Sequence, residues 1–173
     1  MPTTQAHRKI DYLFFTYFLL QIPSTIFFDT QGVYPEWIYP SFLKSLRTHY
    51  LESYRDPFLE NAWHHPWYLA VCLVEHFIEV PFFFWATYAY WFGALNKPSI
   101  VVPSLLYSVH TVTAILSIWS MALLQDFTDY KVPAPRNTQE RFKLCSAYAI
   151  FFIVSAINAI DCARLLLNKK KRD

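Results

Sequence analysis

Four stretches of the chain are long, apolar and free of helix-ending clusters: residues 10–28, 67–95, 100–124 and 144–167. Each meets the length of about 20 residues that an α-helix needs to cross a bilayer. None alternates apolar and polar positions as an outer-membrane strand would. The pattern therefore predicts an all-α membrane protein built as a bundle of four transmembrane helices. The first stretch carries Asp11 and Gln21 and has no small-residue cleavage site, so it reads as a span that stays rather than a signal peptide.

Between the first two stretches lies a long mixed connection, residues 30–66. From Tyr39 to Tyr54 its apolar residues recur near helical spacing, with Lys44, Arg47, Glu52 and Arg55 among them. This predicts one or two short amphipathic helices at the membrane interface of the first luminal loop. Residues 125–141 read as a polar loop, with Pro133 and Pro135 as turn formers. Pro23, Pro81 and Pro103 fall inside spans. In a bundle such prolines kink the helix while neighbours satisfy the freed carbonyls. Residues 1–168 form one four-helix domain, and residues 169–173 form a basic tail.

Composition sharpens this reading. Hydrophobic residues make up 54% of the chain, aromatics 20%, and charged residues only 16%, against about 25% charged in ordinary soluble domains. A formal net charge of +2 and the lack of a basic–aromatic patch point away from nucleic acid. Cys72, Cys145 and Cys162 sit in apolar stretches without metal-ligand spacing and read as small hydrophobes. Neither a metal nor a cofactor is expected.

Topology follows from the basic residues. Arg8, Lys9, Lys97, Arg164, Lys169, Lys170, Lys171 and Arg172 fall on the side of the termini. Lys44, Arg47, Arg55, Lys131, Arg136, Arg141 and Lys143 fall on the other. The two groups are nearly equal, but the first clusters at span ends and the second is mixed with acids in longer loops. The positive-inside rule then gives cytosolic termini. Lys170 and Lys171 stand where an endoplasmic-reticulum di-lysine retrieval signal would, a receptor-read address rather than an anchor.

Chemistry concentrates in the second and third spans. Glu75 and Glu79 are spaced i, i+4 and project from one helix face. A charged side chain at mid-bilayer costs about 2.5–3.5 kcal/mol on insertion scales, so two on one face imply an interior polar cavity. Tyr107, His110 and Thr111 share a face of the third span. Together these groups can hold a cation, exchange protons, or only tie helices together. His76 points away from the Glu75–Glu79 face. Apolar walls are expected from Phe82, Phe83, Phe84, Trp85, Tyr88, Trp119 and Phe151, and such walls suit a sterol or a hydrophobic amine.

Asp29 in IPSTIFFDTQGVYP and Asp56 in SYRDPFLE stand with VPFFFWATYAY, LYSVHTVT, FTDY and ERFKLCSAYA in a set resembling the sigma-2 receptor family. That family belongs to the EXPERA group, which includes the sterol delta-8–delta-7 isomerases. The resemblance implies an occluded cavity, residence in the endoplasmic reticulum, and binding of oxysterols, cholesterol or lipophilic amines. It implies Asp29 as the partner of a ligand amine, Asp56 as its structural support, Glu75 as a group sharing a proton with Asp29, and Tyr148 as a family tyrosine. It also implies homodimers, unidentified protein partners, and, through fungal relatives, assistance in mitochondrial protein targeting.

Departures from the pattern matter. Glu79 stands where the receptors carry glutamine and the isomerases glutamate. His110 and Glu75 stand where the isomerases carry glutamate and histidine. Phe151 replaces a tyrosine of the receptors. Were the chain an isomerase, Glu75, Glu79 and His110 would be its catalytic set. As a non-enzymatic binder its site comprises Asp29, Asp56, Glu75, Glu79, Tyr107, His110, Thr111, Tyr148 and Phe151.

Overall fold

A computed structural model describes residues 7–170, apart from the side chains of Lys169 and Lys170. The second lysine of the Lys170–Lys171 signal and the end of the basic tail thus lie outside the described residues. Among the described residues there is no strand, and four helical stretches are long and apolar enough to cross a membrane: Lys9–Gly32, Pro66–Phe92, Pro98–Leu124 and Thr138–Asn168.

The first span is α1 (Lys9–Phe27), continued by a 3₁₀ turn at Asp29–Gly32. The loop after the first span holds α2 (Ser41–Tyr54), where the helical spacing of apolar residues placed an amphipathic helix, and the short α3 (Pro57–Glu60). Arg55 stops α2 in the left-handed conformation (φ 53°), its N–H bonded to the Leu51 carbonyl at 2.8 Å. That stop sets Asp56 as the cap of α3.

The second span is α4 (Pro66–Val74), a π-helical turn at Glu75–Glu79, and α5 (Val80–Phe92). Pro81 has no N–H to give the carbonyl four residues back. The extra residue of the π turn absorbs this break, and the Val80 N–H reaches back to the Glu75 carbonyl. Gly93, expected inside the span, ends it: its φ is +86°, and a Cβ there would stand 3.3 Å from Asp11 Oδ2.

The third span is α6 (Val101–Leu124) and the fourth is α7 (Thr138–Lys170). α7 starts six residues earlier than hydropathy predicts. Asn137 Oδ1 accepts from the Glu140 N–H (2.9 Å), and Glu140 reaches back to the Arg136 N–H (2.8 Å). This capping arrangement lets a polar segment begin a helix.

Consecutive spans pair closely, α1 with α5 and α6 with α7. One aromatic core fills the end near the chain termini, with Phe14, Phe18, Phe83 and Tyr90 fully buried. A second core, around Phe58, Tyr68, Ile118 and Leu144, fills the loop end. Outward positions are apolar and open, such as Leu20 (61% exposed), Phe77 (70%) and Leu106 (67%), as a lipid-facing surface requires.

Several polar groups within the packed interior are paired across helices. Arg8 bridges Asp11 (2.6 Å) and Asp161 (2.9 Å), tying α1 to α7. Asn158 donates to the Tyr90 hydroxyl (3.0 Å) and accepts from Ser108 (2.9 Å), while Tyr90 donates to Ser104 (3.0 Å). One side chain thereby joins α5, α6 and α7. Replacing Asn158→Leu leaves the Ser108 hydroxyl without its acceptor and the Tyr90 hydroxyl without its donor, and is expected to cost roughly 1–2 kcal/mol. The loss is measured as a lower thermal midpoint in detergent.

Candidate functional site

All four spans contribute to one cavity of about 100 Å³ between the two aromatic cores. The first span presents Gln21 from α1 and Asp29 from the 3₁₀ turn that follows it, with Thr25 between them at the same spacing. The second span presents Tyr68, Cys72, Glu75 and Glu79. α6 presents Tyr107, His110, Thr111, Ile115 and Ile118, and α7 presents Tyr148 and Phe151.

The π turn shapes the acidic side. It keeps Glu75 and Glu79 on the cavity wall despite the broken helical ladder. The Thr25 hydroxyl donates to Glu75 Oε1 at 3.0 Å and also faces the Asp29 carboxyl. Lower in the cavity, Glu79 Oε1 meets His110 Nδ1 at 2.8 Å. Gln21 and the Tyr17 and Tyr107 hydroxyls form a buried cluster, with the two phenols 2.8 Å apart.

Asp56 is fully buried and sits behind the cavity wall rather than on it. It caps α3 through the N–H groups of Phe58 (3.0 Å) and Leu59 (3.2 Å), and accepts from the hydroxyls of Tyr50 (3.1 Å) and Tyr148 (2.5 Å). Burial pushes its carboxyl above the ordinary carboxylate range, and these four donors pull it back. Tyr148 is the link: its ring lines the cavity and its hydroxyl holds Asp56.

Of the residues expected at the site, Asp29, Glu75, Glu79, Tyr107, His110, Thr111, Tyr148 and Phe151 converge on this one cavity, and Asp56 stands behind it. The Thr111 hydroxyl is spent on the Tyr107 carbonyl of its own helix (3.0 Å). His76 lies off the cavity, stacked on Tyr34 with ring centroids 5.6 Å apart. Among the described residues, no group of three or more His, Cys, Asp or Glu is arranged to hold a metal.

The expected aromatic walls need correction. Of that set only Phe151 lines the cavity. Phe83 is buried in the core near the termini, and Phe82 and Trp85 line an outer groove. Phe84 and Tyr88 face the membrane side of the α1–α5 pair. Trp119 donates to the Cys145 carbonyl and packs on Phe152. The aliphatic part of the wall comes mostly from α6, through Ala114, Ile115 and Ile118, with Val71 from α4. Gln21, Thr25, Tyr68 and Cys72 went unrecognised, although Tyr17, Gln21, Thr25 and Asp29 recur every fourth residue as a polar stripe in an apolar helix.

Comparison with known proteins bears on this arrangement. The profile of the EXPERA (EXPanded EBP superfamily) family matches residues 42–162. The chain is 34% identical to the sigma intracellular receptor 2 of Macaca fascicularis over 167 residues, covering 95% of this chain and 93% of that protein. Identity to the Homo sapiens protein of the same name is 33% over the same length. This chain belongs to the EXPERA family. It is also 35% identical, over 115 residues, to the efficient mitochondria targeting-associated protein 19 of Schizosaccharomyces pombe. That match covers 65% of this chain and 59% of the yeast protein. The EXPERA match takes in Asp56, both glutamates, His110 and Tyr148, whereas Asp29 lies in the segment shared with the receptors.

The Asp56 network makes a graded prediction. Tyr50→Phe and Tyr148→Phe each remove one donor and are expected to cost about 1 kcal/mol. Asp56→Ala removes a cap and strands all four donors, so it is expected to cost about 2–3 kcal/mol or more. Chemical denaturation of the three variants in one detergent gives the order.

Proposed function

We propose that this EXPERA protein is a non-enzymatic receptor of the endoplasmic-reticulum membrane that binds sterols, oxysterols or lipophilic amines. The observation that carries the proposal is an imbalance of charge. Among the described residues, Asp29 and Glu75 line a cavity between the spans in which no Lys or Arg stands and His110 is already engaged by Glu79. A carboxyl in that setting is stabilised by a shared proton or by a cation brought by the ligand. Aliphatic α6 and the rings of Tyr68, Tyr107 and Phe151 suit a flat hydrocarbon body.

In this reading Asp29 receives the amine or hydroxyl head, Glu75 shares its proton, and Thr25 orients Glu75. Asp56 positions Tyr148. Cytosolic termini, the di-lysine signal and a role in lipid homeostasis or mitochondrial protein targeting form the cellular part of the proposal. The similarity to the fission-yeast protein motivates the targeting role.

One observation favours a second reading, sterol double-bond isomerisation. The Glu79–His110 pair at 2.8 Å has the form of an acid–base couple. An isomerase protonates one alkene carbon and takes a proton from a carbon further along, so no atom is gained or lost. Rescue of isomerase-deficient cells that is abolished by Glu79→Gln would establish this reading.

The receptor reading predicts saturable binding of a radiolabelled lipophilic amine to protein in lipid nanodiscs. Asp29→Asn is expected to weaken that binding by about tenfold or more, or ~1.4 kcal/mol, and to weaken 25-hydroxycholesterol less. Absence of saturable binding, or an Asp29→Asn protein equal to the parent, contradicts it.

A further inference from the structure

Outside the cavity, on the membrane-facing side of the bundle, lies a second space. It is an apolar groove of about 550 Å³ between the second span and α6. Ile78, Pro81, Trp85, Pro103 and Leu106 shape it. Glu79, Tyr107 and His110 line both spaces, so these three side chains are the wall between groove and cavity.

We propose that the hydrogen-bonded Glu79–His110 pair is a latch across this seam, and that an apolar ligand with a polar head enters the cavity sideways from the bilayer when it opens. This rests on the ligand-binding reading above and adds the route and the residues that control it.

Four observations support the latch. First, the inner cavity of about 100 Å³ is smaller than the ~300 Å³ at which drug-sized ligand sites begin, so a bound sterol must displace a wall. Second, the close backbone pairings join α1 to α5 and α6 to α7, leaving the seam between the second span and α6 to be closed by side chains. Third, that seam holds the π turn and Pro81, where the helical ladder is already interrupted. Fourth, both ends of the bundle are packed. At the loop end Tyr148 is tied to Asp56, and Gly32 packs so closely on α3 that a Cβ would meet the Leu59 carbonyl oxygen at 2.6 Å. The end near the termini is filled by Phe14, Phe18, Phe83 and Tyr90.

Within the wall the parts differ in freedom. Tyr107 is fixed by the Tyr17 hydroxyl and by rings on three sides, Phe18, Phe82 and Phe83. The Glu79 side chain is 11% exposed and that of His110 is 38% exposed. The imidazole is therefore the outer leaf, and one 2.8 Å contact holds it closed.

Cys72 lines the cavity but not the groove, and so reports passage without any ligand. In a Cys145→Ala, Cys162→Ala background in lipid vesicles, N-cyclohexylmaleimide should modify Cys72 several-fold faster when His110→Ala removes the latch. It should act several-fold slower when Leu106→Trp fills the groove. Equal rates in the parent and both variants overturn the latch. Where either variant fails to match the parental thermal midpoint, Glu79→Ala replaces His110→Ala, or Leu106→Phe replaces Leu106→Trp, with the same expectations. In a second arm, Leu106→Trp should slow both association and dissociation of a radiolabelled lipophilic amine and leave its equilibrium affinity unchanged; unaltered rates count against the latch. No saturable amine binding together with altered Cys72 rates would sink the receptor reading and leave the latch standing.

Discussion

A carboxyl group placed among membrane helices must be neutralised, paired or enclosed, and this fold treats its acids in graded ways. Asp11 and Asp161 share Arg8, which ties the first and fourth spans together. Asp56 has four donors and no cation. Glu79 has one imidazole. Asp29 and Glu75 have little beyond the Thr25 hydroxyl. The order runs from structural staple to unsatisfied site, and it ends where four spans leave a hollow. Desolvating two acids without a fixed counter-charge weakens a bundle. Persistence of that arrangement is understandable where a proton or a ligand supplies the missing charge.

The backbone of the second span makes this possible. A regular α-helix carrying Pro81 would leave the Phe77 carbonyl without a donor and kink against the proline ring. The π turn at Glu75–Glu79 fixes where the irregularity falls and sets it between an inner cavity and an outer groove. Loop helices α2 and α3 then act as a roof. They are anchored to the site through Asp56 and Tyr148 rather than through apolar packing alone.

Much of this was legible in the chain. Span lengths and the period of apolar residues place the four membrane helices and α2, because the bilayer dictates length and the interface dictates one-sidedness. Glu75, Glu79 and His110 stand out by the cost of charge in lipid. The polar stripe Tyr17–Gln21–Thr25–Asp29 was readable and was missed, since uncharged polar residues barely lower the hydropathy of an apolar helix. The early start of α7 was also readable, from Asn137 and Glu140. Other features lay beyond pattern. In a membrane helix aromatic residues face lipid and core alike, so periodicity could not say that Phe151 alone of the expected ring wall meets the cavity. The π turn depends on how Pro81 packs, which one-dimensional spacing does not encode.

The most direct test of the central claim is carboxyl labelling with peptide mapping on protein in lipid vesicles. A membrane-soluble carbodiimide should modify Glu75 or Asp29, a water-soluble carbodiimide should not, and excess lipophilic amine should suppress the reaction. Equal labelling of Asp29 and Glu75 by the water-soluble reagent would place them in bulk solvent and contradict an enclosed acidic site.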